Sequence, residues 1–113
     1  MVIIMKSKMK SICETDEYGN KFWRLPNGKL HRENDLPAIK WLDGEKWWLV
    51  DGKLHRENNK PAVECPDGTN FWWVNDLRHR DNGPAMECAD GEKHWYLEGI
   101  KYTEEEYNRK IWN

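Results

Sequence analysis

Several things are scarce in this chain. Cysteine occurs three times, at Cys13, Cys65 and Cys88, an odd number without CxxC or HxxxH spacing. A disulfide framework is thereby disfavoured, and a reducing compartment, the cytoplasm, is expected. Long apolar runs are missing too. The apolar start, Val2 to Ile4, is too short for a signal peptide and far too short to span a membrane. There is little excess of charge: the formal net charge is −2, and Lys and Arg are spread along the chain. That leaves no basic footprint for nucleic acid, the local run Lys6, Lys8, Lys10 excepted.

Catalytic signatures are equally thin. Cys13, Ser7 and Ser11 sit near the N-terminus without a neighbouring histidine, and the glycines read as turn glycines rather than a phosphate-binding loop. No repeating unit supplies a second metal ligand beside its histidine at matched spacing. The expectation is a non-enzymatic protein without cofactor or metal.

What the chain does have is tryptophan, eight in 113 residues, within a composition 38% hydrophobic and 34% charged. One domain fits this length. Its core is small, and a few large aromatics must supply much of the buried area.

The chain also repeats. His31-Arg32, His55-Arg56 and His79-Arg80 are spaced by 24 residues. Pro37-Ala38, Pro61-Ala62 and Pro84-Ala85 follow the same period, the last one residue early. Asp-Gly pairs fall at Asp43-Gly44, Asp67-Gly68 and Asp90-Gly91. A second turn series runs Asn27-Gly28, Asp51-Gly52, Asn75-Asp76 and Glu98-Gly99. Asn-Gly and Asp-Gly favour two-residue type I′ hairpin turns. The runs between them, such as Trp47-Trp48-Leu49-Val50, are rich in the aromatic and β-branched residues of strands. Each unit therefore reads as strand, tight turn, strand, tight turn, short strand and polar loop.

Two-residue turns at the Asp-Gly pairs predict a register. Ile39 faces Trp48, Val63 faces Trp72 and Met86 faces Trp95. One face of the sheet then carries Ile39, Trp41, Trp48, Val50, Val63, Cys65, Trp72, Val74, Met86, Cys88, Trp95 and Leu97, and is the expected core. Each aromatic buried there is worth roughly 2–3 kcal/mol. The opposite face carries Ala38, Ala62 and Ala85 with Leu49 and the candidate binding residues Trp47, Phe71, Trp73, Tyr96, Lys40, Glu64, Glu87 and His94. Rigid aromatics interrupted by a few charges are what protein interfaces use. The histidines are expected to cap the Trp column and to hydrogen-bond the next loop, and the loop arginines to form inter-repeat ion pairs.

The end of the chain, from Thr103 to Lys110, reads as a short helix. Thr103 is its N-cap, Glu106 completes a capping box, and Tyr107 and Ile111 dock it on the sheet. A terminal cap is what an open repeat array requires. The expected division is an N-terminal arm (1–20), a repeat domain (21–102) and a helical cap (103–113). Within the arm, Val2 to Ile4 is a possible added edge strand.

The segments Lys29-Leu30-His31-Arg32-Glu33-Asn34 through Pro37-Ala38, and Asp51-Gly52-Lys53-Leu54-His55-Arg56-Glu57-Asn58 through Pro61-Ala62, resemble the MORN-variant repeat. The resemblance spans residues 21–102. It implies an all-β fold of tandem antiparallel β-hairpins in a MORN-like open sheet with a short C-terminal capping helix. Related repeats occur in bacterial antitoxin-like proteins and in phages and large DNA viruses. It therefore also implies an interaction role in the cytoplasm of a bacterial or virus-infected cell. The longer unit departs from the Tyr-x-Gly-x-(Trp/Phe) spacing of standard MORN repeats, so lipid binding is not carried over. The expected partner is a protein. The alternatives are a small-molecule or nucleotide-binding sponge and a self-assembling structural component.

Overall fold

The computed structural model describes residues 10–112 of the chain. The expected strand at Val2 to Ile4 lies outside them. The architecture is the expected one: an open antiparallel sheet built from hairpins, closed at its C-terminal end by a single helix. The first hairpin is β1 (Ile12–Thr15) with β2 (Lys21–Arg24). The first full unit gives β3 (Ile39–Lys40), β4 (Lys46–Trp47), β5 (Leu49–Val50) and β6 (Lys53–Leu54). The next gives β7 (Val63–Glu64), β8 (Asn70–Phe71), β9 (Trp73–Val74) and β10 (Leu77–Arg78). The last gives β11 (Met86–Glu87), β12 (Lys93–Leu97) and β13 (Ile100–Tyr102), before α1 (Glu104–Trp112). Residues 12–15 thus belong to the sheet as an edge strand, not to an irregular arm.

Nine strands form the main sheet in the order β1-β2-β3-β4-β7-β8-β11-β12-β13. One residue, Trp48, separates β4 from β5, and Trp72 separates β8 from β9. At these points the chain leaves the main sheet and enters a second tier of hairpins, β5–β6 and β9–β10. Successive units stack through the turns of these hairpins and of β12–β13. Gly52 N–H donates to Leu30 C=O at 2.7 Å, Asp76 N–H to Leu54 C=O at 2.9 Å and Gly99 N–H to Arg78 C=O at 2.8 Å.

The turns of the two tiers differ, and the difference corrects the expected register. In the turns of β5–β6, β9–β10 and β12–β13 both central residues have positive φ: Asp51 and Gly52, Asn75 and Asp76, Glu98 and Gly99. These are the two-residue turns foreseen. At the Asp-Gly pairs only the glycine is left-handed, with φ +99° at Gly44, +95° at Gly68 and +94° at Gly91. Cys65 N–H donates to Thr69 C=O, and Gly68 N–H donates back to Cys65 C=O. The loop is therefore three residues, Pro66, Asp67 and Gly68: a type I turn followed by a left-handed glycine. Asp67 Oδ1 accepts from Thr69 N–H at 2.8 Å and holds the turn. Asn27-Gly28 belongs to this class and not to the second series, since Gly28 N–H donates to Leu25 C=O.

One extra loop residue moves every cross-strand partner by one. Ile39 faces Trp47, Val63 faces Phe71 and Met86 faces His94. A continuous row, Phe22, Ile39, Trp47, Val63, Phe71, Met86 and His94, crosses seven strands on one face. We call this the aromatic face. Ile39 and Leu49, with Ala38, form the buried core of the first unit, and Phe22, Leu30, Trp41, Trp47 and Leu54 pack against it. Trp41 meets both Phe22 and Trp47 edge-on, with ring centroids 5.5 and 5.4 Å apart.

The neighbouring row lies on the opposite face and alternates large with small: Trp23, Ala38, Trp48, Ala62, Trp72, Ala85 and Trp95. Backbone bonds join its members, from Trp23 N–H to Ala38 C=O, Trp48 to Ala62 and Trp72 to Ala85. The three alanines are completely buried, so a larger side chain would have no room between the indoles. Trp48, Trp72 and Trp95 do share a column as expected, but Ile39, Val63 and Met86 lie on the other side of the sheet.

The helix docks as foreseen. Thr103 Oγ1 accepts from Glu106 N–H at 3.1 Å, and Glu106 Oε1 accepts from Thr103 N–H at 2.9 Å. Tyr107 is buried; its hydroxyl donates to Arg80 C=O and accepts from Gly83 N–H. Among the described residues no helix is long and apolar enough to cross a membrane.

Candidate functional site

The loop arginines do more than form ion pairs. Arg32, Arg56 and Arg80 lie flat over the indoles of Trp23, Trp48 and Trp72, with the guanidinium carbon 3.8, 3.7 and 3.8 Å from the ring centroid. Arg56 also reaches Asp35 of the preceding unit at 2.9 Å and Glu64 at 3.1 Å. Arg80 repeats this with Asn59 at 2.9 Å and Glu87 at 3.4 Å. The Arg56 hydrogen bond, opposed by partial burial and aided by Lys60, holds the Asp35 carboxyl below its ordinary range. Left-handed residues at Asn34-Asp35 and Asn58-Asn59 turn carbonyls inward, where Asp35 and Asn59 accept the Trp48 and Trp72 indole N–H, each at 3.0 Å. The sequence reading missed these stacks, although the eight-residue offset shared by Trp48–Arg56 and Trp72–Arg80 was a usable signal.

The histidines hold neighbouring units together, as expected. Nδ1 of His31, His55 and His79 accepts the backbone N–H of Asp51, Asn75 and Glu98 in the next hairpin. Nε2 of His55 and His79 faces Glu57 at 3.0 Å and Asp81 at 2.8 Å. Both ring nitrogens of His55 and His79 are thus engaged within the fold, whereas His31 Nε2 lies 3.8 Å from Glu33.

The candidate binding residues divide between the two faces. Lys40, Glu64 and Glu87 lie on the tryptophan–alanine side. Glu64 and Glu87 are engaged by Arg56 and Arg80, and Lys40 Nζ is 5.9 Å from the Trp23 ring. The corrected register separates them from the aromatics they were expected to join. Trp47, Phe71, Trp73, Tyr96 and His94 remain together on the aromatic face, all half-buried. Trp47 is partly committed to the first core, packing on Trp41 and donating its indole N–H to Glu45 at 2.7 Å.

Arg78 joins the other aromatics. In the second unit it occupies the position that Leu54 holds in the first, facing Trp73 where Leu54 faces Leu49. Its guanidinium carbon lies 5.1 Å from the Phe71 ring centroid, 4.9 Å from Trp73 and 5.1 Å from Tyr96. Its Nε is buried without a hydrogen-bond partner. An arginine held by three rings, with donor capacity to spare, can take up a carboxylate or carbonyl oxygen at low ordering cost.

The register also gathers a second group that sequence reasoning did not assemble. Cys88 N–H donates to Glu92 C=O at 2.8 Å, which places these residues opposite each other across the last three-residue loop. His94, two residues along, shares their face. The ligand atoms of Cys88, Glu92 and His94 lie within 4.8 Å of one another, and His94 Nε2 is 2.9 Å from Glu92 Oε1. A two-residue turn would have set Cys88 against Lys93 and Glu87 against His94, so the trio was invisible. Burial pushes the Cys88 thiol pKa up, and the nearby carboxylates of Asp90, Glu92 and Asp67 push it further. The same forces act on Cys65, through burial first and then Glu45, Asp67 and Asp43.

Comparison with known proteins returned nothing: no family model matches the chain, and no curated protein and no solved structure matches it either.

Proposed function

We propose that this chain is a non-enzymatic protein-binding module of MORN-variant-like repeats. It engages its partner through the aromatic face around Trp73, Phe71, Tyr96 and Arg78, in the cytoplasm of a bacterial or virus-infected cell. The observation that carries the reading is the arginine set among three half-buried rings. Tryptophan, tyrosine and arginine are the residues that dominate binding energy in protein interfaces. Here they sit on strands rather than on loops: Phe71 and Tyr96 on β8 and β12 of the main sheet, Trp73 and Arg78 on the β9–β10 hairpin of the second tier. The partner segment that fits is one offering an acidic side chain or free backbone carbonyls beside apolar contacts. The reducing compartment is supported by the three free cysteines.

The test uses the full chain as bait, with wild type, Trp73→Ala and Arg78→Ala compared in capture from host lysate and the partner identified by mass spectrometry. Affinity for that partner is then measured with purified proteins. Each truncation is expected to weaken it by roughly tenfold or more, as hot-spot side chains do. Circular dichroism of the variants controls for folding. Unchanged affinity in both variants would remove this face as the contact surface.

A further inference from the structure

The position of Cys88 in the last unit is held by Trp41 in the first, and that of His94 by Trp47. Both sit around a glutamate at the same position, Glu45 and Glu92. In the first unit this column is closed by an indole, Trp47 Nε1–H on Glu45. In the last unit the two indoles are replaced by a thiol and an imidazole, and the three side chains converge within 4.8 Å. Sulfur, imidazole nitrogen and carboxylate oxygen together are a donor set suited to zinc.

We propose that Cys88, Glu92 and His94 bind a zinc ion at the C-terminal end of the aromatic face. Three protein ligands leave a fourth position for water or a partner's side chain. The hairpin preorganises the site, because backbone bonds fix Cys88 opposite Glu92 and fix Gly91 N–H on Cys88 C=O at 2.9 Å. Asp90 and Asp67 add negative charge around the thiol. That field favours a dication at the site. When the zinc–sulfur bond forms, the thiol proton passes to solvent, and no electron is transferred. The site is independent of the partner proposed above.

The experiment is calorimetric titration of the reduced full chain with Zn²⁺, alongside Co²⁺ titration followed by thiolate-to-cobalt charge-transfer absorption. One ion per chain is expected. Cys88→Ser should abolish the absorption band. Both Cys88→Ser and His94→Gln should weaken Zn²⁺ binding beyond the roughly 10–100-fold typical of losing an outer-shell partner. Cys13→Ser and Cys65→Ser should leave both readouts unchanged. Absence of Zn²⁺ binding in the micromolar range overturns the proposal and leaves a His94–Glu92 contact beside a half-buried thiol. So does binding that survives Cys88→Ser and His94→Gln, provided their circular dichroism matches wild type.

Discussion

The guanidinium of Arg56 lies 3.7 Å from the centre of the Trp48 ring, and the same side chain bridges Asp35 of the preceding unit to Glu64 of the following one. One residue thus covers a buried indole and ties three successive units of the array. In a fold without a thick core, contacts of this kind carry much of the coupling between repeats.

Arg56→Ala should therefore destabilise more than Arg32→Ala. Arg32 stacks on Trp23 and donates to Pro37 C=O at 3.3 Å, but among the described residues it has no carboxylate partner. Chemical denaturation is expected to show a loss of about 2 kcal/mol for Arg56→Ala and about 1 kcal/mol for Arg32→Ala. Equal losses would mean that the stack, and not the bridge, carries the contribution. Arg56→Lys should recover little, since an ammonium cannot lie flat on the ring.

The three-residue loops make a graded prediction at their glycines. Gly44 and Gly68 have nearly the same φ, +99° and +95°. A Cβ at Gly44 would meet Pro66 Cγ at 2.9 Å, whereas at Gly68 it would meet nothing within 4 Å. Gly68→Ala should cost about 1 kcal/mol from backbone strain alone. Gly44→Ala should cost more, because the pyrrolidine ring must also move. Comparison of the two denaturation midpoints checks the ranking.

Tyr107 sets an alkaline limit on the docked helix. Burial first, then Asp81, raises its phenol pKa above the ordinary value of 10.0, against the opposing Gly83 hydrogen bond and Arg80 charge. A group whose folded pKa is raised contributes stability below its unfolded pKa and loses it as pH climbs through the folded value. Stability should therefore fall as pH rises above about 10. Tyr107→Phe should lower stability near neutral pH by about 1 kcal/mol through the lost hydroxyl bonds and flatten this part of the alkaline decline. Thermal melts across an alkaline pH series read both effects.

Much of this fold was legible in the residues. The period of the His-Arg, Pro-Ala and Asp-Gly pairs determined that hairpins are stacked in tandem. The sequence Thr103-Glu104-Glu105-Glu106 determined the capped helix. Left-handed pairs at Asp51-Gly52 and Glu98-Gly99 were readable because a two-residue hairpin demands them. Pro66, ahead of Asp67-Gly68, did signal the longer loop: its fixed φ suits the second position of a type I turn, not a type I′ turn. Without that step, the candidate surface combined Trp47 and Tyr96 with Glu64 and Glu87, which lie on the other side of the sheet.

Local chemistry, acting over four or five neighbouring residues, therefore determined the elements and their order. Which residues share a face was decided only in the tertiary structure. Strand side chains alternate with a period of two, so a single extra residue in each loop inverts one strand against the next. That inversion moved Trp48 and Trp72 away from Ile39 and Val63 and beneath Arg56 and Arg80, left Arg78 among Phe71, Trp73 and Tyr96, and brought Cys88 to Glu92 and His94.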